Sequence, residues 1–327
     1  INQRYLNILH LKVNLTLCVE SPLSSQLRHY LNLYWLRPEN GLLMAFKSKA
    51  YDKLKFESPS LDLSCGDGLF QAIHLGAEFD EDFDYFKSTK AREFSHKKFV
   101  DIYDHFDPNY EVKFVKKPDI QIDYGADWKQ ALLDKAKKTG LFKNLLLHDN
   151  NRLPLPFDDN QFKTIYSNSV YWIENVEGLI KDLYRITQPG GTVGLELLTP
   201  YLLETLDEYE EFLSPEAISI LNRQRRETMP GLKDYGEWKE IIENTGFTIE
   251  EASSTYPDKR IVDIWNVGLR PISHLLIQMA ENLSPDERIK IKHEWVDIFY
   301  ELFKPLLKLP LTYSLEKAPY LYFQLKK

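Results

Sequence analysis

Acidic residues near the ends of predicted strands are the side chains best placed to do chemistry. Asp62 precedes the glycine turn Cys65-Gly66-Asp67-Gly68, which leads into a predicted helix that begins at Leu69. A strand followed by a tight turn and a helix is a geometry that cradles a phosphate or a nucleotide. The pattern predicts a nucleotide site, although an ordinary tight turn that needs glycine for positive φ would look the same.

The spacing of the glycines indicates which nucleotides the turn is unsuited to bind. After Gly66 and Gly68, the third glycine position of the dinucleotide fingerprint is held by Gln71, and the lysine of a P-loop is absent. These differences argue against NAD and against ATP.

Two further aspartates follow the next predicted strands. Asp127 ends the second strand, where its carboxylate can accept two hydrogen bonds from a ribose diol. Asp149 ends the third strand, where it can accept from an adenine amino group while the backbone N–H of Asn150 donates to the ring. Three strand ends would then meet at the crevice where open α/β sheets bind ligands. The alternative is that each aspartate only caps the following helix, which is worth about 1 kcal/mol.

Short apolar runs supply the strands that would position these aspartates. The predicted strands span residues 60–63, 120–126, 145–148, 162–166, 192–198, 248–252 and 320–325. The predicted helices start at Leu69 or span residues 129–138, 176–186 and 235–245, and the stretches 201–221 and 271–307 are largely helical. Strands separated by helices favour a doubly wound α/β fold with a parallel sheet.

Several motifs resemble one family and occur in that family's order. The similar segments are Asp62–Gly68, Gly125–Trp128, Leu153–Phe162, Tyr166–Ile173, Leu183–Ile186 and Gln188–Gly191. Together they resemble class I S-adenosylmethionine-dependent methyltransferases, particularly the type 11 group. The resemblance implies a Rossmann-like, mostly parallel sheet of seven strands, the last one antiparallel, with helical insertions that cap the substrate crevice.

The resemblance also implies the cofactor S-adenosylmethionine, with S-adenosylhomocysteine as its product, and the residues that hold it. Carried over by position, Asp62, Ser64, Gly66 and Gly68 would hold the methionine part, Asp127 the ribose, Trp128 an adenine face, Asp149 with Asn150 the adenine edge, and Asn168 would line the methyl-transfer crevice. Two features depart from the family. Ser64 replaces the first glycine of the motif, and the long segment 71–119 separates the first turn from the second strand.

The residues of the chemical step are less defined. Methyl transfer from a sulfonium is an in-line displacement, so positioning can supply much of the acceleration and a base is optional. An alcohol acceptor would benefit from a base, for which His148 and His74 are candidates. Tyr171 and Trp172 are candidates for contact with the acceptor, unless they only pack a helix start on the sheet. The turn from Asn168 to Tyr171 lacks the two prolines of enzymes that methylate planar amides or adenine, which argues against those acceptors.

The acceptor is expected beneath segments added to the core. The predicted organisation is an N-terminal helical cap over residues 1–55 and a Rossmann-like methyltransferase domain over residues 56–327, with insertions at 71–119, 201–231 and 256–312. Aromatic residues in these segments would form an apolar pocket with polar handles. We therefore expect a small-molecule acceptor, methylated on oxygen in a biosynthetic or sugar-modifying pathway.

Charge and cysteine content limit the partners. The net charge of −8 disfavours nucleic acid, although Arg223, Arg225 and Arg226 would be the basis of an RNA methyltransferase. Two cysteines, Cys18 and Cys65, fit a reducing compartment, and no long apolar stretch or secretory signal is evident. The expectation is a cytoplasmic protein with no metal and no membrane partner, which could form a homodimer. A non-catalytic cofactor-binding or regulatory protein of the same fold is the other alternative.

Overall fold

The computed structural model describes residues 22–89, 102–222 and 225–327 of the chain. Its strands are β1 (Ser60–Leu63), β2 (Glu78–Phe79), β3 (Phe114–Lys116), β4 (Ile122–Asp127), β5 (Phe142–Leu147), β6 (Phe162–Ser167), β7 (Thr187–Leu198), β8 (Thr248–Ser254) and β9 (Tyr320–Lys326). Its α-helices are α1 (Pro22–Leu33), α2 (Pro38–Ala50), α3 (Leu69–His74), α4 (Gln130–Thr139), α5 (Val176–Ile186), α6 (Tyr201–Asp207), α7 (Pro215–Asn222), α8 (Tyr235–Thr245), α9 (Lys259–Asn266), α10 (Ser273–Glu281) and α11 (Pro285–Phe303). Cys18, Arg223 and parts of the predicted cap and of the 71–119 insertion lie outside the described residues.

Seven of the strands form one sheet in the order β5-β4-β1-β6-β7-β9-β8. The first five strands in this order, β5, β4, β1, β6 and β7, are parallel to one another. Strand β9 runs antiparallel to both β7 and β8. This arrangement confirms the predicted fold class, because all seven predicted strands are present and the last one is antiparallel. The carboxyl ends of β1, β4, β5 and β6 therefore lie at one edge of the sheet, as a parallel arrangement requires.

The fifth strand of the sheet is longer than predicted. The prediction began it at Thr192 and treated the preceding Gln188-Pro189-Gly190-Gly191 as a turn, whereas β7 begins at Thr187. Its pairing with β6 shifts in register between Phe162 and Thr164. The proline and glycine residues are accommodated there as an irregularity of the ladder, which is a common place for such residues in a strand.

Both faces of the sheet are covered. Every residue of β1 is buried, as expected for a strand with layers on both sides. On one face α5 packs on α8, and Trp238 of α8 donates from Nε1 to Leu198 O over 3.2 Å. The other face carries a smaller cluster formed by Tyr51, Leu54, Tyr166 and Tyr322.

A helical layer, which we call the cap, is formed by α1, α2, α9 and α11. In it α1 packs on α2, α3 and α11, and α2 packs on α9. Lys292 of α11 is 0% exposed, and its ammonium group donates to Asn32 Oδ1 of α1 and to the carbonyl oxygens of Glu81 and Phe83. One buried ammonium group thus joins three segments that are far apart in sequence. No helix in the described part of the chain combines the length and apolar character needed to span a bilayer.

Replacing Lys292 with Met should destabilise the protein. The change keeps the length of the side chain but removes the donor to the Asn32 amide and to two backbone carbonyls. We expect the free energy of unfolding, measured by urea denaturation, to fall by about 2 kcal/mol. Lys290→Met, at an exposed position of the same helix, is the control and should change stability by less than about 0.5 kcal/mol. Equal stability of the two variants would show that the ammonium group does not hold the cap.

Candidate functional site

The turn after β1 lies at the carboxyl edge of the sheet. Cys65 N donates to Ala126 O over 3.0 Å, which holds the turn against β4. Gly66 and Gly68 have φ values of 58° and 73°, a region that favours glycine. A Cβ at Gly68 would meet the Phe142 ring at 2.8 Å, whereas a Cβ at Gly66 would meet nothing within 4 Å. The open side of Gly66 leaves room for a ligand to approach the backbone.

Ser64 departs from the glycine of the family motif, and it adopts a φ of 66°. This left-handed conformation costs an L-residue roughly 1–2 kcal/mol. The Ser64 hydroxyl accepts a hydrogen bond from Asn150 Nδ2 over 2.9 Å, which links the turn to the loop after β5. Asn150 is 2% exposed, and its Oδ1 is buried with no hydrogen-bond partner among the described residues. The serine thus holds Asn150 beside the turn.

Asp127, at the end of β4, organises the same turn. Its Oδ2 accepts from Gly66 N over 3.0 Å and its Oδ1 accepts from Lys129 N over 2.9 Å. Burial raises the pKa of Asp127, and these two backbone N–H groups oppose the increase. The bond to Lys129 matches the capping alternative, whereas the bond to Gly66 joins β4 to the turn. Asp127 therefore has a structural function whatever ligand the site binds.

Asp62 lies in β1 beside Asp127 and is 3% exposed. Its carboxylate accepts no hydrogen bond from the residues that the structure describes. Burial and, secondarily, the charge of Asp127 raise the pKa of Asp62 to about 8. A buried ionised carboxylate without a donor is costly. Asp62 is therefore suited to a cationic ligand group that would lower this cost.

The predicted adenine and acceptor residues approach one another beyond β4. The rings of Trp128 and Trp172 lie 5.7 Å apart between centroids, with planes at 34°, and Trp128 is 40% exposed. Asp149 accepts from Asn151 N over 3.0 Å, and its side chain is 36% exposed. The Asp149 carboxylate thus stays near the surface of the loop, unlike the two buried aspartates.

Asn168 and Tyr171 follow β6 and connect to other elements through their backbones. Asn168 O accepts from the hydroxyl of Tyr320 over 3.1 Å, and Tyr171 O accepts from Gly231 N over 2.8 Å. The Asn168 side chain accepts from the Ser169 hydroxyl over 2.9 Å. The segment expected to line the crevice is therefore tied to β9 and to the chain before α8.

The two histidine candidates have partners of their own. His74 stacks on Tyr51 with centroids 3.9 Å apart, and its Nδ1 lies 2.9 Å from the Ser48 hydroxyl. Burial lowers the pKa of His74 to about 4, which makes it a poor proton acceptor at neutral pH. His148 Nε2 lies 3.0 Å from Arg152 O within its own loop. The burial of His74 therefore argues against this ring as a base, whereas His148 is engaged at one ring nitrogen within its own loop and stays a candidate.

Glu196 is a residue that the sequence did not single out. It lies in β7 and is 0% exposed, and the nearest cation is Lys47 of α2, with Nζ 3.7 Å from Glu196 Oε2. Lys47 Nζ donates to the Tyr320 hydroxyl over 2.6 Å, and Tyr320 in turn donates to Asn168. Burial raises the pKa of Glu196 to about 7 against the opposing charge of Lys47, and burial lowers the pKa of Lys47.

Several buried polar atoms at and around Glu196 make no hydrogen bond with the described residues. These buried atoms lack a hydrogen bond within the described ranges and are Glu196 Oε1, Glu196 Oε2, Tyr166 OH, Ser167 Oγ and Tyr256 OH. Buried polar groups are normally hydrogen-bonded, so such a concentration beside Asn168 points to a site for a polar molecule. A sequence signal existed, since Glu196 is the acidic residue of the apolar run Leu195-Glu196-Leu197-Leu198. Lys47 carried no comparable signal.

The two described arginines of the predicted basic run, Arg225 and Arg226, do not form a basic surface. Arg225 is 2% exposed, and its guanidinium carbon lies 3.9 Å from the centroid of the Trp265 ring. Arg226 pairs with Asp207 and Glu210. An interior arginine and a neutralised one cannot attract a phosphate backbone, so the RNA interpretation loses its basis in these residues.

Residues 119–195 match a family model described as a methyltransferase domain. This segment contains β4, β5, β6 and most of β7, together with Asp127, Asp149 and Asn168. This part of the chain is similar to a methyltransferase domain. S-adenosylmethionine is the cofactor that the domain implies, and the site residues fit it. Asp62 is a buried carboxylate with no donor in the described ranges, which suits the ammonium group of the methionine part, and Gly66 is open on one side.

Two curated relatives are similar over about a third of this chain. Sterol 24-C-methyltransferase of Pneumocystis carinii is 25% identical over 115 residues, which are 35% of this chain and 29% of that protein. 24-Methylenesterol C-methyltransferase 2 of Arabidopsis thaliana is 27% identical over 114 residues, which are 35% of this chain and 30% of that protein. The chain thus spans less than a third of the length of these relatives. Among solved structures, phosphoethanolamine N-methyltransferase 2 of Haemonchus contortus with S-adenosyl-L-methionine has a TM-score of 0.43 and 15% identity, over 86% of this chain and 52% of that chain.

Removing the Asp149 carboxylate should weaken cofactor binding. If this carboxylate accepts from the adenine amino group, Asp149→Ala should raise the Kd for S-adenosylhomocysteine about tenfold, the usual value of one hydrogen bond. Calorimetric titration measures this, and Asp158→Ala, at an exposed position of the same loop, should bind as the wild type does. Equal loss in both variants, or in neither, would argue against the adenine assignment.

Binding of S-adenosylhomocysteine should strengthen as the pH rises from 6 to 8. Because the pKa of Asp62 is raised to about 8, this carboxyl is mostly protonated at pH 6 and must lose its proton to pair with the ligand ammonium group. The affinity should therefore rise by up to about tenfold per pH unit below the pKa. Asp62→Asn should bind more weakly and without this dependence, whereas a flat wild-type profile would remove Asp62 from the cofactor site.

Proposed function

We propose that this protein transfers the methyl group of S-adenosylmethionine to an oxygen atom of a small-molecule acceptor. The observation that carries the proposal is the buried Asp62 carboxylate, without a donor among the described residues, beside a glycine turn that is hydrogen-bonded to Asp127 of the segment that matches a methyltransferase domain. Such a site suits a ligand that combines a cationic amino acid part with a nucleoside.

Each part of the cofactor has residues of matching chemistry. Asp62 and the turn around Gly66 would bind the methionine part, and Asp127 would accept from the ribose hydroxyls. The Trp128 face and the loop carrying Asp149 and Asn150 would bind adenine. Asn150 Oδ1 has no hydrogen-bond partner in the described part of the chain, and this supports the assignment because a buried amide oxygen needs a donor.

When bound, the cofactor supplies an electrophilic methyl group on a sulfonium. The chain contributes position and proton control around the acceptor. Tyr320, held between Lys47 Nζ and Asn168 O, fixes the acceptor side of the crevice. Glu196 would take the proton of the acceptor hydroxyl, since a carboxylate whose pKa is raised to about 7 is matched to proton transfer near neutral pH.

The burial of the proposed acceptor site favours a small acceptor over a polymer. Glu196 is fully buried, and the polar atoms around it lie beneath α2 and beside β9. The curated relatives are named as sterol C-methyltransferases, so a carbon acceptor is the outcome against which an oxygen acceptor is to be tested. The Glu196 carboxylate supports oxygen, because a hydroxyl would supply the proton and the hydrogen bond that this carboxylate lacks among the described residues.

Isotope-labelled transfer tests the proposal directly. The protein is incubated with S-adenosylmethionine labelled in its methyl group and with panels of hydroxylated, amino and sterol acceptors, and the labelled product is identified by mass spectrometry. Label on a hydroxyl oxygen is expected. Label on carbon or nitrogen would overturn the oxygen assignment, and cofactor binding without transfer to any panel would favour the non-catalytic alternative.

Replacing Glu196 with Gln should slow transfer while leaving the cofactor site intact. Loss of a positioned base lowers kcat by about 10²–10⁴-fold, and binding of S-adenosylhomocysteine should stay within about twofold because Asp62 and Asp127 are unchanged. Glu240→Gln, at an exposed position of α8, is the matched control. An unchanged kcat in Glu196→Gln would remove this residue from the reaction.

A further inference from the structure

Arg225 is an interior arginine whose position is fixed on two sides. Its guanidinium carbon lies 3.9 Å from the centroid of the Trp265 ring of α9. Its Nη1 donates to Asn266 Oδ1 over 2.6 Å, and Asn266 Nδ2 donates to Thr205 Oγ1 of α6 over 2.9 Å. Stacking fixes the plane of the guanidinium, and the hydrogen bond fixes its rotation within that plane.

The remaining donors of Arg225 have no acceptor among the residues that the structure describes. Nε and Nη2 are buried, and neither makes a hydrogen bond within the described part of the chain. These two atoms form one edge of the guanidinium, and their N–H bonds run parallel. This edge is the one that matches the two oxygens of a carboxylate or a phosphate in a bidentate pair. The unpartnered atoms are thus a preformed fork for an oxyanion.

The charges around Arg225 also favour an anion. Burial and, next, the charges of Arg270 and Arg37 lower the pKa of Arg225 to about 9, and Glu39 opposes them. Glu39 is itself engaged, since its Oε1 accepts from Arg37 Nε in a buried pair. Arg225 stays protonated at neutral pH, so an anion would reduce the repulsion among these three cations.

The α2 helix connects this fork to the acceptor side of the methyltransferase site. Asn40 Oδ1 accepts from Trp265 Nε1 over 3.3 Å and from Arg37 Nη2 over 3.2 Å. Lys47, which lies beside Glu196, follows Asn40 by seven residues on the same helix. Two positions seven residues apart share a helix face and are separated by about 10 Å along the axis. One elongated molecule could therefore lie along α2 and reach both ends.

We propose that Arg225 binds a carboxylate or phosphate group of the methyl acceptor, which would make this protein a methyltransferase of anionic small molecules. The oxyanion would accept from Nε and Nη2, while the methylated end of the molecule lies near Glu196 and Asn168. The assignment of this oxyanion to the acceptor rests on the proposed function, whereas the oxyanion site itself does not.

Thermal unfolding with simple anions tests the site without a known acceptor. The unfolding midpoint of the whole chain is measured with increasing sodium phosphate, sodium acetate or sodium chloride at matched ionic strength. A ligand that binds only the folded state raises the midpoint with its concentration. We expect phosphate or acetate to raise the midpoint relative to chloride, and the more effective of the two anions identifies the group that the fork prefers.

Two variants and one control test whether the rise of the unfolding midpoint depends on the Arg225 guanidinium. Arg225→Met removes the charge and the donors, and Arg225→Lys keeps the charge but loses the fork, so both should lose the oxyanion-specific shift. Arg226→Met, at an exposed neighbour, should retain it. No shift in the wild type, or an equal shift in all four proteins, would overturn the proposal.

If either Arg225→Met or Arg225→Lys does not fold, the other variant still tests whether the oxyanion shift depends on Arg225. Titration of S-adenosylhomocysteine into the same proteins keeps the two proposals separate, because a wild type that binds the cofactor product but shows no oxyanion shift contradicts only the Arg225 assignment. A wild type that shows the oxyanion shift but does not bind S-adenosylhomocysteine contradicts only the proposed function.

Discussion

Asp62 sets the condition on which the rest of the site depends. A carboxylate in a strand buried on both faces is unfavourable unless it is protonated or paired, and the carboxylate of Asp127 lies nearby. Asp127 is itself held by the backbone N–H groups of Gly66 and Lys129, which leaves it unable to relieve Asp62. The parallel sheet, the glycine turn and the burial under helices thus create a site that a cationic ligand would stabilise.

Interior charged groups that a ligand would stabilise also occur on the acceptor side of the site, next to the cap. Glu196 and Arg225 are also interior charged groups with unpartnered polar atoms among the described residues, and α2 contacts the surroundings of both. Charged groups in a water-poor interior interact more strongly than at a surface, so a matching ligand would gain more there. Lys292, which joins α11 to α1 and to the segment after α3, makes the enclosure a stable part of the fold.

The strands were accessible from the sequence because buried parallel strands are short apolar runs bounded by turn residues. The start of β7 could not be predicted from the sequence. A proline followed by glycine, as at Pro189 and Gly190, occurs both in turns and in irregular parts of strands, so the residue types do not distinguish the two. The His74 candidate illustrates a different limit. A histidine near a glycine turn suggests a base, but the stacking on Tyr51 and the burial that lower its pKa to about 4 depend on a helix more than twenty residues earlier.

The sequence by itself determined the order of the strands along the chain, the glycine turn, the aspartates that follow parallel strands and the methyltransferase motifs, because each is a local pattern of residue type and spacing. Only the tertiary structure decided that Asp62 lacks a donor in the described ranges, that Glu196 lies beside Lys47, and that Arg225 is an interior residue stacked on Trp265. These properties depend on which distant segments exclude water from a charged group, and burial of that kind has no local signature in the chain.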